Sequence, residues 1–109
     1  MEEEEKLDPR KEYEINEQLA YENSKHTMMD MFYFWTGRAV GIKWCIKHLD
    51  DKVVLKKEYE DCLQAKDDSV RINAQNFVRY YDGRADGVRW CLDNFDNLEL
   101  PEEPAGKEK

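Results

Sequence analysis

The second half of this chain repeats the first. Shifted by 46 residues, positions 11–50 align with positions 57–96 without a gap and share 12 identities in 40 pairs. The densest match sets Gly37–Cys45 against Gly83–Cys91, where six of nine residues are identical. A collinear repeat of this kind restricts the fold to two copies of one supersecondary unit, because such units bury their apolar faces by packing against each other.

Each unit predicts a pair of helices. Asp8 followed by Pro9 is a typical helix start, because the aspartate side chain caps free N–H groups and proline has none to leave unsatisfied. This first helix is expected to extend to about Tyr21. In the second unit, Asp50 or Asp51 is the expected cap of the corresponding helix.

A longer second helix follows in each unit, over roughly 24–49 and 70–95. Asn23 or Ser24 is the expected N-cap in the first unit, and Ser69 in the second. At about 100° per residue, apolar side chains form one stripe along each of these helices, and we expect both stripes to face the core. The stripes contain Met28, Phe32, Trp35, Ala39, Ile42, Ile46 and Leu49, and Ala74, Val78, Tyr81, Ala85, Val88, Leu92 and Phe95.

These elements predict an all-α protein, in which a duplicated helical hairpin forms a four-helix bundle with pseudo-twofold symmetry. The predicted organisation is an acidic disordered tail over 1–7, one hairpin over 8–50, a second hairpin over 51–97 and a disordered tail over 98–109. The tails are expected because charge blocks at chain ends are usually solvated.

The composition disfavours several classes of protein. The formal net charge is −8, and half of it lies on residues 1–6 and 101–109, which disfavours direct nucleic-acid binding through a basic patch. No apolar run reaches the roughly 18 residues of a membrane span, and the acidic start is unlike a signal peptide. Three cysteines without paired spacing (Cys45, Cys62 and Cys91) fit reduced thiols and a cytoplasmic location.

A second face of each long helix combines glycine with tryptophan. It contains Gly37, Gly41, Trp44 and His48 in one unit, and Gly83, Gly87, Trp90 and Asn94 in the other. Each mid-helix glycine costs about 1 kcal/mol relative to alanine, so the glycines together predict close approach of another backbone. We expect these residues to form an interface, either between the two long helices of one chain or between the subunits of a symmetric homodimer. A ligand groove over the glycines is a further alternative.

Arg38 and Arg84 lie at the margin between the apolar face and the glycine face. A buried guanidinium needs an acceptor, because an unpaired charge is strongly destabilising there. Glu14 and Glu60 are repeated at the same offset, so we expect them to form structural ion pairs with the two arginines. A twofold anion site formed by the arginines is the alternative.

No motif predicts a catalytic, cofactor or metal site. Cys45 and His48 have a spacing that could supply two metal ligands, but the second unit has Cys91 and Asn94 at these positions, so the pair is not repeated. An acidic group in the second unit could bind magnesium, as in helical nucleotide hydrolases, yet a solvated surface is its expected role. The group consists of Glu58, Glu60, Asp61, Asp67 and Asp68.

The segment Tyr80–Leu92 resembles parts of short, uncharacterised helical proteins of bacteria and their phages. The resemblance covers one helix, and it implies an origin among such proteins but no activity and no site residues.

The sequence as a whole predicts a non-enzymatic interaction or assembly protein that acts through protein–protein contacts as a homodimer, with no cofactor, no membrane partner and no direct nucleic-acid binding. Two other functions stay open. One is an acidic inhibitor or DNA-mimic-like decoy of a host protein, and the other is a magnesium-dependent nucleotide hydrolase.

Overall fold

The computed structural model describes residues 6–25 and 29–100. These residues form four α-helices and contain no β-strand, which confirms the all-α four-helix fold. The helices are α1 (Pro9–Lys25), α2 (Met29–Ile46), α3 (Lys52–Arg71) and α4 (Gln75–Asp93), and a 3-10 turn over Phe95–Asn97 follows α4.

Two of the predicted helix starts are confirmed. The backbone N–H of Arg10 donates to Asp8 Oδ1 over 3.0 Å, so Asp8 caps α1. The backbone N–H of Val53 donates to Asp51 Oδ1 over 3.0 Å, so Asp51 caps α3. A short polar side chain that accepts from a free N–H is the usual way to satisfy the first turn of a helix.

The predicted caps of the second helices are wrong, because the first helix of each hairpin is longer than expected. Asn23, Ser24 and Ser69 lie inside the last turns of α1 and α3. Their side chains donate to carbonyl groups three or four residues back along their own helix, so they satisfy the helix they are in instead of starting the next one. α4 begins after Asn73, whose φ of 60° lies in the turn that connects α3 and α4.

The centre of the bundle is the contact between α2 and α4, the most extensive in the fold, while α1 packs on α2 and α3 packs on α4. Gly37 lies beside Tyr80, and Cys45, two turns further on, lies beside Cys91. Because both helices advance in the same direction between these two contacts, α2 and α4 run parallel. The last turns of α1 and α3 therefore lie at one end of the bundle.

Close backbone contact explains the glycines of α2 and α4. A Cβ atom on Gly37 would lie 2.9 Å from the backbone nitrogen of Arg84, and one on Gly83 would lie 3.0 Å from the backbone nitrogen of Arg38. Gly41 and Gly87 face the same two residues one turn later. The glycine contact is therefore within one chain and is reciprocal between the repeats. The predicted dimer contact through these glycines is therefore wrong, because the other hairpin of the same chain occupies the space beside them.

The core lies where the two hairpins meet. Its fully buried members are Ile42, Cys45, Leu55, Val88 and Cys91. Within the predicted stripes, the middle positions are buried and the flanking aromatic and aliphatic side chains are half-buried. Met28 lies outside the described residues. The stripes thus face the core at their centres, and the described residues at their ends are half-buried.

The two ends of the described chain meet at the opposite end of the bundle, beside the start of α1 and the end of α4. Leu7 and Leu98 form a parallel β-bridge, in which the N–H of Leu7 donates to the Asn97 carbonyl over 2.8 Å and the N–H of Glu99 donates to the Leu7 carbonyl over 2.8 Å. Both leucines fall in segments that the sequence assigns to disordered tails. The rest of those tails, 1–5 and 101–109, lies outside the described residues.

Candidate functional site

Arg38 ties three helices together. Its Nη1 donates to Glu12 Oε2 over 2.6 Å and to Asn16 Oδ1 over 3.0 Å, and its Nε donates to Asp86 Oδ2 over 2.7 Å. Burial lowers the pKa of Arg38, but the hydrogen bonds to the two carboxylates outweigh that effect and raise it. Since Asn16 is fully buried and Asp86 belongs to the other hairpin, the cluster fixes both the α1–α2 and the α2–α4 contact.

Arg84 occupies the equivalent place in the second repeat with fewer partners. Its Nη2 donates to Glu58 Oε2 over 2.8 Å, and its Nη1 lies 3.4 Å from Tyr80 Oη. Its Nε is buried and has no hydrogen-bond partner among the described residues. The cause is a difference between the repeats, because Val40 stands where the other repeat has the acceptor Asp86.

The predicted ion-pair partners Glu14 and Glu60 are wrong by two residues. The acceptors are Glu12 and Glu58, which are also related by the repeat. Two residues along an α-helix turn a side chain by about 200°, and Glu14 and Glu60 accordingly lie on the exposed side of α1 and α3.

The tryptophans flank the glycine contact without entering it. Trp44 and Trp90 are half-buried. The His48 Nδ1 and the Asn94 Nδ2 each donate to the carbonyl of the tryptophan four residues earlier, both over 2.8 Å, and the His48 ring stacks on Trp44 with 4.0 Å between centroids. His48 and Asn94 therefore satisfy the C-terminal carbonyls of α2 and α4.

The cysteines and the acidic residues of the second unit do not form a common site among the described residues. Contact with Cys91, together with burial, raises the pKa of the Cys45 thiol, and burial followed by the charge of Glu58 raises that of Cys62 to about 12. The described part of the chain holds no cluster of three or more His, Cys, Asp or Glu with metal-ligating geometry. In the predicted acidic group, Glu58 pairs with Arg84, while Asp61 and Asp68 pair with cations on α3 itself.

A groove of about 610 Å³ runs between α1 and α2 on the outside of the first hairpin. Its floor is apolar and its rims are polar. The lining residues are Tyr13, Glu14, Glu17, Gln18, Ala20, Tyr21, Ser24, Phe32, Thr36, Ala39, Val40 and Lys43. No residue that the sequence predicted for an interface lies in this groove, and only Glu14 among the predicted ion-pair residues does.

The groove is open because small residues replace an ion pair. In the second hairpin, Lys66 Nζ lies 3.0 Å from Asp82 Oδ1 and bridges α3 and α4. The equivalent residues of the first hairpin are Ala20 and Thr36, which are too short to meet. The same repeat difference that leaves Arg84 Nε without an acceptor puts Val40 into the groove lining. The second hairpin has a groove of about 480 Å³ between α3 and α4, lined by Lys56, Tyr59, Glu60, Arg89, Leu92 and Asp93. The three substitutions between the repeats therefore make the groove of the first hairpin larger and less charged at these positions.

The rims of the groove differ in charge. On α1, Tyr13 Oη donates to Glu17 Oε2 over 2.6 Å, and this hydrogen bond raises the pKa of Tyr13 to about 12. Glu14 lies beside this pair on the same rim. On α2, the Lys43 ammonium lies 5.9 Å from the centre of the Tyr13 ring, a cation–π contact across the groove. One rim is thus acidic and the other basic.

The outward face of α2 is uncharged where that of α4 is mostly charged. The outward residues of α2 are Met29, Tyr33, Thr36 and Val40, and their equivalents on α4 are Gln75, Arg79, Asp82 and Asp86. An uncharged outward face in addition to the core-facing stripe is typical of a helix that is covered on a second side. The sequence does indicate this surface, at the positions where the two repeats differ. The positions that are identical in both repeats indicate only the fold that the repeats share.

Comparisons of the chain with protein-family models, curated proteins and solved structures found no match. The resemblance of Tyr80–Leu92 to short bacterial and phage proteins therefore stays a prediction. Among the described helices, none is both long and apolar enough to cross a bilayer.

Restoring the missing acceptor should stabilise the protein. We expect Val40→Asp to raise the free energy of unfolding by about 1–2 kcal/mol, because a charge-assisted hydrogen bond to Arg84 Nε would form as Asp86 forms one with Arg38. Urea denaturation measures the effect. In an Arg84→Met background the same substitution should give no gain, and a gain of equal size there would show that the bond to Arg84 is not its source.

Proposed function

We propose that this chain is a non-enzymatic interaction protein whose binding surface is the α1–α2 groove together with the outward face of α2. One observation carries the proposal: the two repeats share a scaffold, yet the first has Ala20, Thr36 and Val40 where the second has Lys66, Asp82 and Asp86. The exchange forgoes an interhelical ion pair and leaves a buried arginine nitrogen without an acceptor. A surface retained at a loss of stability is typical of a binding site.

The character of the groove favours a protein partner. It is open to solvent, and its rim polar groups already bind each other, since Tyr13 donates to Glu17 and Gln18 Nε2 donates to Glu22 Oε2 over 2.8 Å. A small polar ligand would need free convergent donors and acceptors. An apolar floor within a polar rim is instead the general composition of a protein–protein interface.

The proposal includes a reducing, cytoplasm-like compartment. Cys45, Cys62 and Cys91 are all free and buried, and such thiols pack as small hydrophobic side chains. The sequence leaves two other functions open, an acidic decoy and a nucleotide hydrolase. Neither is favoured by the described carboxylates that pair with cations of this chain, because a decoy or a magnesium site needs unpaired carboxylates.

A groove-closing variant tests the proposal. It combines Ala20→Lys, Thr36→Asp and Val40→Asp, so that the first hairpin carries the side chains of the second. Because these side chains already pair in the second hairpin, the variant should be at least as stable as the wild type. We expect proteins captured from the native cells by the tagged wild type, the chain's own untagged copies included, to be lost with the variant. Identical capture by both forms would refute the proposed surface.

A further inference from the structure

The surface of the first hairpin has properties that suit a second copy of itself. We propose that the α1–α2 groove binds the same groove of another molecule of this chain, as a symmetric dimer with its twofold axis parallel to the groove. This inference rests on the proposed function and names its partner. The arrangement uses the outside of the first hairpin and leaves the glycine contact between α2 and α4 intact.

The shape of the groove suits a symmetric contact, in which one surface must supply both the hollow and the side chains that fill it. The groove floor is formed by short side chains, among them Ala20, Thr36 and Ala39. Beside it stand large apolar side chains that the monomer leaves uncovered, with Tyr21 57% exposed and Met29 45% exposed. Each copy therefore has exposed apolar side chains next to an apolar groove that could receive those of the other copy.

The charges on the two rims of the groove also suit a second copy. The acidic residues Glu14 and Glu17 lie on the α1 rim, and the exposed Lys43 lies on the α2 rim. A twofold axis along the groove places α1 of each copy over α2 of the other. Lys43 lies at the height of Tyr13, the residue before Glu14, so this rotation sets Lys43 of each copy against Glu14 of the other. The contact would gain two equivalent ion pairs.

A second copy would also cover the uncharged outward face of α2. Its outward residues Met29, Tyr33 and Val40 would be covered at the edge of the contact. The equivalent residues Gln75, Arg79 and Asp86 of α4 stay in solvent. A contact through the first repeat explains why only that repeat has an uncharged outward face. An assembly that used both repeats equally would not explain this difference.

Sedimentation velocity on the purified full chain, from low micromolar to sub-millimolar concentration, tests the inference. We expect the wild type to shift from monomer to dimer with concentration. The groove-closing variant should remain monomeric while its unfolding midpoint is unchanged or higher. A wild type that stays monomeric, or a variant that dimerises equally well, overturns the inference. If the wild type is monomeric but captures another protein that the variant does not capture, the dimer is refuted while the proposed binding surface is supported.

Charge exchange tests the orientation. Lys43→Glu and Glu14→Lys should each raise the dimer dissociation constant about tenfold, and the double variant should restore it. Glu14→Lys makes the net charge of −8 less negative by two, so it would strengthen association if only overall repulsion mattered. Tighter association with Glu14→Lys alone, or no recovery in the double variant, contradicts the Lys43–Glu14 pairing and with it the proposed axis.

Discussion

Replacing Gly37 with alanine should lower the free energy of unfolding by about 2–3 kcal/mol, although glycine to alanine in a helix ordinarily stabilises. The added Cβ would lie 2.9 Å from the Arg84 backbone nitrogen and closer still to the Tyr80 carbonyl oxygen. Neither atom belongs to a side chain that can turn away, so α2 and α4 must separate along their whole contact. The gain of about 1 kcal/mol in helix propensity offsets only part of this loss.

Urea denaturation followed by circular dichroism measures the change. Gly83→Ala is the matched variant and should show a similar loss, because its contacts with Phe34 and Arg38 are the symmetric counterparts. Arg79→Ala, on the exposed side of α4, should alter stability by less than about 0.5 kcal/mol. A stabilising Gly37→Ala would show that the two helices are not in backbone contact.

Replacing Arg38 with methionine should have the largest effect of any substitution outside the core, a loss of about 3–4 kcal/mol. The methionine keeps most of the aliphatic volume but leaves the Glu12 carboxylate and the buried Asn16 amide oxygen without their donor. It also removes the link to Asp86 in the other hairpin.

Arg84→Met provides the internal comparison. Arg84 makes one ion pair and one long hydrogen bond, and its Nε is already without a partner, so we expect a loss of only about 1–2 kcal/mol. Equal losses at the two arginines would mean that the additional bonds of Arg38 to Asn16 and Asp86 contribute nothing to stability.

The scaffold was predictable because its signals are repeated. Four glycines at equivalent helical positions are expensive in two helices, and only close backbone contact accounts for all of them. The sequence left open whether that contact lies within one chain or between two. The choice depends on whether the hairpins pack parallel through their second helices, which local sequence does not specify.

The ion-pair partners were missed for a different reason. Glu12 and Glu14 both recur in the second repeat, so identity between the repeats does not choose between them. The choice follows from the rotation of α1 about its axis, which depends on which residues of α1 face α2. Asn16, fully buried on the same face as Glu12, is the residue that indicates this rotation, and a polar side chain is a weak signal for a buried face.

The groove could not be predicted from the repeated residues, because the positions that open it are those at which the repeats differ. A position that matches in both repeats supports the fold that both share, whereas Ala20, Thr36 and Val40 differ from their counterparts in charge and size. The first hairpin alone has small and apolar side chains in place of an ion pair, and this exchange does not help to form the fold that both hairpins share. In duplicated proteins, the differing positions are therefore the better guide to a binding surface.

Backbone amide chemical shifts in a dilution series test the central claim most directly, since every residue of the first hairpin has its own control in the second. We expect shifts that change with concentration at groove residues and not at their equivalents. The residues to compare are Thr36, Val40 and Lys43 on α2, and Asp82, Asp86 and Arg89 on α4. Equal changes on both helices, or changes confined to α4, would contradict the claim that the first hairpin carries the binding surface.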